Sequence, residues 1–129
     1  MVLTSLKRTL LITNNPLVHE KYADKQETEF VDDGFQGVLK AVRDHVHEGY
    51  RLLTHPLSGS VKPNENPYKT VLLARSFANT DADSVMLVEQ CIITAEKFEK
   101  KVIHDKHLHD LQVVDLSLIS EVLERNRAT

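Results

Sequence analysis

The sequence predicts an α/β protein, a three-layer sandwich on a mostly parallel, Rossmann-like sheet of about four strands. Three observations carry this. Short apolar runs rich in strand formers alternate with amphipathic stretches, the order of a doubly wound sheet. The first run passes straight into a helix-start signature, so strand and helix join without a linker. The 129 residues, 41% hydrophobic and 27% charged, suit one globular domain over residues 1–129 with a core that needs no staples.

RTLLIT (residues 8–13) is a short apolar run and reads as a buried strand. Asn15 and Pro16 follow, a capping residue and then the one residue whose missing N–H costs nothing at the first helical position. A short helix therefore starts there. TEFVDD (residues 28–33) reads as a second strand. In the next stretch Phe35, Val38, Leu39, Val42 and Val46 fall on one helical face, and Gly49 stands where a helix C-cap is expected. YRLLTH (residues 50–55) is a third strand and KTVLLARSF (residues 69–77) a fourth. Thr80 and Asp81 then offer caps for a helix with a wide apolar stripe: Val85, Leu87, Val88, Cys91, Ile92, Ala95 and Phe98. LQVVD (residues 111–115) reads as a short extended piece, with Asp115 capping a last helix over residues 116–126. The third and fourth strands are joined by a loop of about ten residues with no helix. That length allows a bare crossover or a wide hairpin, and the alternating pattern favours the parallel choice.

A net charge of −3 gives no basic surface in net terms, and without Trp only Phe and Tyr could stack bases, so nucleic acid is not an expected partner. Cys91 is the single cysteine and allows no internal disulfide, which suits a reducing cytosol. The apolar run after Lys7 and Arg8 is too short for a signal segment or a membrane span. A cytoplasmic protein with no membrane contact is expected.

Ligands in open α/β sheets bind outside the carboxyl ends of the strands. Three stretches collect there: Thr13, Asn14 and Asn15 after the first strand, Asp32 and Asp33 after the second, and LLTHPLSGSVKPNENPYK (residues 52–69) after the third. The last holds Pro56, Pro63 and Pro67, three of the chain's four prolines. Ser58, Gly59 and Ser60 suit a nest of backbone N–H groups for a phosphate or carboxylate, and Lys62 and Lys69 add charge. Thr54 and Asn64 supply further polar groups. His55 is the candidate acid/base, histidine being the side chain most often used in that role. No glycine follows the first strand, so neither a dinucleotide fingerprint nor a P-loop is present. The residues name no cofactor. His104, His107 and His109 lie in a charged stretch without a full ligand set, so no metal site is expected. Cys91 sits on an apolar stripe and reads as a buried structural thiol.

LLITNNPLVHEKY and HEGYRLLTHPLSGSVKPNENPYKTVLL, with the strand–helix order between them, resemble the GrdX family over most of the chain. The resemblance implies a small cytoplasmic protein encoded beside the glycine, sarcosine and betaine reductase systems of anaerobic amino-acid-fermenting bacteria. It implies no assigned activity and no catalytic residues. With one cysteine and no C-x-x-C pair, the chain is not expected to be a catalytic reductase subunit.

Two functions follow. The preferred one is an accessory or regulatory protein that binds a small anionic metabolite, or a reductase component, along Thr13–Asn15 and the loop after the third strand. The alternative is a small enzyme acting on a phosphorylated or carboxylated substrate, with His55 as acid/base and Ser58, Gly59, Ser60 and Lys62 holding the anion. A homodimer through Leu116, Ile119, Val122 and Leu123 of the last helix is a narrower option, against ordinary packing of that face on the sheet.

Overall fold

The computed structural model describes residues 9–57, 65–75, 80–98 and 103–128, with side chains to residue 125. Four strands stand among them: β1 (Thr9–Thr13), β2 (Thr28–Phe30), β3 (Tyr50–Leu52) and β4 (Thr70–Arg75). The helices are α1 (Pro16–Tyr22), α2 (Phe35–His47), α3 (Ala82–Glu96) and α4 (Asp105–Ala128).

The strands form one sheet in the order β2-β1-β4-β3. β1 pairs with β2 in parallel, through Leu11–Thr28 to Thr13–Phe30. β4 runs antiparallel to both neighbours, with Thr13 opposite Thr70 and Leu52 opposite Leu73. The sheet is therefore mixed, with two of its three ladders antiparallel, and the mostly parallel Rossmann-like arrangement is corrected. The cause is the connection between β3 and β4. A parallel return must cross a sheet face, usually on a helix; residues 53–69 carry no described helix, and the chain returns alongside itself. The Leu53 N–H donates to the Leu72 carbonyl at 2.9 Å as the chain turns. The same topology leaves β1, β2 and β3 running one way. Their carboxyl ends and the start of β4 share one rim.

The central strands are buried on both faces, which is why they read as unbroken apolar runs. Their alternate residues serve two cores. Leu10, Ile12, Val71 and Leu73 pack with Val38, Leu39, Val42 and Val46 of α2 and Val88, Ile92 and Ala95 of α3. Leu11 and Leu72 face the other way, onto Val18 and Tyr22 of α1 and Ile119 and Leu123 of α4. Fully burying each such side chain contributes about 1.5–3 kcal/mol. The last-helix face formed by Ile119 and Leu123 is thus core.

Local signals explain three of the helix ends. Asn15 accepts the Leu17 N–H at 3.1 Å with Pro16 in the first turn of α1. Asp81 caps α3 through the Ser84 N–H. Gly49 ends α2 with φ 109°, a conformation that disfavours any Cβ. One helix departs from expectation: α4 begins at Asp105, ten residues ahead of Asp115. Residues 111–115 are helical rather than extended, and Asp115 is an interior residue rather than a cap. Leu108, Leu111, Asp115, Ile119 and Leu123 follow one helical stripe. The polar residue at its centre broke the apolar pattern and concealed the continuity.

Candidate functional site

The rim is built on Asn14. It is 7% exposed. Its Nδ2 donates to the Asp33 carbonyl at 3.0 Å and the Pro67 carbonyl at 2.8 Å, and its Oδ1 accepts the Lys69 N–H at 2.8 Å. One side chain thus ties the end of β1 to the turn after β2 and to the approach into β4. Backbone groups satisfied by a fixed amide are not available to move independently.

Asn15 and Thr13 are fully buried beneath it. Asn15 Nδ2 donates to the Gln112 carbonyl at 2.9 Å and to Asp115 Oδ2 at 3.0 Å. The Asn15 N–H donates to Thr13 Oγ1 at 3.0 Å, and the Thr13 and Thr70 hydroxyls lie 2.7 Å apart. Thr70 Oγ1 donates to Asp115 Oδ2 at 2.7 Å. Since Thr70 spends its proton on the carboxylate, Thr13 donates to Thr70. The donors run in one direction, from Asn15 N–H through two hydroxyls to Asp115, and each bond in such a chain polarises the next.

The incoming end of the loop docks on α4. Asn66 Oδ1 accepts the Tyr68 N–H at 2.9 Å and Asn66 Nδ2 donates to the Leu111 carbonyl at 3.2 Å. Gln112 Nε2 donates to the Tyr68 hydroxyl at 2.9 Å. At the outgoing end, Thr54 Oγ1 accepts the Leu72 N–H at 3.0 Å. The exposed His55 accepts the Leu57 N–H on Nδ1 at 3.0 Å. In the neutral ring this puts the proton on Nε2, making that nitrogen a donor.

Three titratable groups interact near the start of β4. Asp115 is 5% exposed and Cys91 2%. Burial pushes the Asp115 carboxyl above its ordinary range, while the Thr70 hydroxyl, the Asn15 amide, the Lys69 charge and the Thr70 N–H pull it down. Burial also pushes the half-buried Lys69 ammonium below its ordinary range, against the charges of Asp115 and Cys91. The Cys91 thiol is pushed up by burial, opposed by Lys69 and by the Leu57 N–H. All three shifts run toward the neutral forms, as expected of charges sharing a poorly hydrated place.

Of the residues singled out in the sequence, Thr13, Asn14 and Asn15 meet the incoming end of the loop. Thr54 and His55 stand at its outgoing end. Ser58, Gly59, Ser60, Lys62 and Asn64 lie outside the described residues. Asp115 was missed as a member of this cluster, and its place on the α4 stripe was the signal that held it. The histidines of HDKHLHD lie at the start of α4, with the His104 and His107 rings 6.4 Å apart. Among the described residues no group of three or more His, Cys, Asp or Glu side chains is placed to hold a metal ion. No described helix is long and apolar enough to cross a membrane.

A family model described as GrdX-like protein matches residues 10–124. No curated protein and no solved structure matches the chain.

Proposed function

The chain belongs to the GrdX-like protein family, and we propose that it is an accessory or regulatory protein that binds a small anionic ligand at the loop after β3. The observation that carries this reading is Lys69. Its ammonium lies half-buried at the base of the loop, among Asp115 and Cys91. A cation already stripped of much of its water gives an anion more than a solvated lysine does. Ser58, Gly59, Ser60, Lys62 and Asn64 supply the remaining contacts in this reading. Thr13, Asn14, Asn15 and Thr54 form the floor that fixes both ends of the loop. His55 donates through Nε2 to the anion, a role its Nδ1 bond to Leu57 favours over proton abstraction by the neutral ring. The ligand belongs to the chemistry around glycine, sarcosine or betaine reductase, and the protein reports on it or presents it to a reductase component.

A thermal-shift panel tests the proposal, with sulfate, phosphate, acetyl phosphate, nucleotides, glycine, sarcosine and betaine. An anion at about 100 times its dissociation constant adds about 2.7 kcal/mol, several degrees for a chain of this size. The expected result is a shift with at least one anion that is lost in Lys62→Ala and Lys69→Gln. No shift with any compound overturns anion binding and directs attention to pull-downs against reductase subunits.

A further inference from the structure

We propose that the free edge of β2 docks an extended basic segment of a partner protein, which joins the sheet as an added strand. The sheet ends in β2 on one side and in β3 on the other, and its two edges differ. On β3 the Leu53 N–H turns inward to the Leu72 carbonyl, so the Leu52 N–H turns outward, where the Ser84 hydroxyl of α3 accepts it at 3.0 Å. The chain itself covers that donor, as exposed edges require.

No hydrogen bond of this kind covers β2 among the described residues. The Glu27 carbonyl accepts the Leu11 N–H at 3.0 Å, and the Val31 N–H donates to the Thr13 carbonyl at 2.8 Å. Backbone groups alternate sides along a strand, so residues 27, 29 and 31 turn theirs to β1. The N–H and C=O of Thr28 and Phe30 therefore point away from the sheet. Such a row is a template for strand addition.

The side chains select the occupant. Glu29 lies on the α2 face, where its carboxylate meets His45 Nε2 at 2.8 Å and stays 42% exposed. Phe30 lies on the other face, 38% exposed, with its ring 5.2 Å from that of His19. Asp24, Glu27, Asp32 and Asp33 are exposed around the strand. Lys25 is the one base between residues 24 and 33, and its Nζ lies over the Tyr22 ring at 5.7 Å. No described cation pairs with Glu27, Asp32 or Asp33. Two copies joined edge to edge would set these like charges against each other, which destabilises a strand pair. A basic segment gains where a second copy loses. Face alternation sets its pattern: lysine or arginine beside Glu27 and Glu29, apolar residues beside Phe30. β2 is short, so binding is expected to be weak and to weaken further with salt.

NMR titration of the whole chain tests the proposal, with a blocked peptide of alternating lysine and valine about eight residues long. The expected result is that the Thr28 and Phe30 amides shift and exchange more slowly with solvent. No change at these amides overturns the proposal. The same peptide N-methylated throughout keeps the charge but carries no N–H donor, and is expected to leave both amides unprotected. Equal protection by it reduces the contact to charge alone and overturns strand addition. Alternating glutamate and valine is expected not to bind, and equal binding overturns the selection of a basic partner. Glu27→Gln and Asp32→Asn, both at exposed positions, are expected to weaken the lysine peptide about 1.5- to 5-fold each. Unchanged affinity in both variants also overturns that selection. A concentration-dependent dimer of the free chain that protects Thr28 and Phe30 assigns the edge to a second copy and overturns the proposal.

Discussion

At the scale of single residues, amides and hydroxyls tie the described parts of the rim together. Asn14 satisfies two carbonyls and one N–H from two other segments. Asn14→Ala leaves those groups without their partner, and each buried orphan costs about 1–3 kcal/mol. Urea unfolding should show a loss of about 3 kcal/mol or more. Asp115 makes a prediction with a definite sign. Its pKa in the fold is raised above the ordinary 3.8, so the folded chain holds the proton to higher pH than the unfolded chain does. The stability it contributes is complete below the unfolded value and is lost as pH rises through the raised one. Lys69 runs the other way. Its folded pKa is lowered from 10.5, so its contribution is complete above that value and is lost as pH falls through the lowered one. In unfolding measured across the acidic side of neutrality, Asp115→Asn should therefore gain on wild type as pH rises. A constant difference between the two would contradict the assignment.

At the scale of elements, the sequence signals worked where one residue decides an end. Asn15 with Pro16, Asp81 and Gly49 mark boundaries because each meets a backbone requirement by itself. Gly49→Ala places a Cβ at φ 109° and should cost about 1–2 kcal/mol in thermal or urea unfolding. The start of α4 was not legible, because Asp115 is polar at an inward position and its partners lie some 45 and 100 residues away in sequence. Val114→Pro separates the two descriptions. Proline inside the observed helix removes a hydrogen bond and clashes with the preceding turn, a loss of about 3 kcal/mol or more, while an extended segment would tolerate it far better. Circular dichroism together with unfolding would read the outcome.

At the scale of the whole molecule, two cores on opposite faces of one sheet share the central strands β1 and β4. Cys91 stands outside both clusters yet is only 2% exposed, so access to it is expected to require opening of the fold. The thiol should react with a maleimide slowly in the native protein and rapidly in urea, at a rate set by the opening equilibrium. Fast native labelling would show that the fold opens locally around Cys91. Composition, the apolar runs and the caps determined that this chain is α/β, where its strands lie and which faces of its helices turn inward, because those properties depend on neighbours a few residues away. The tertiary structure alone decided that β4 runs antiparallel, that Asn14 is a clamp, and that Lys69, Asp115 and Cys91 share one place. Pairing direction follows from how a loop closes, and a buried charge is chosen for partners that only the folded chain brings near.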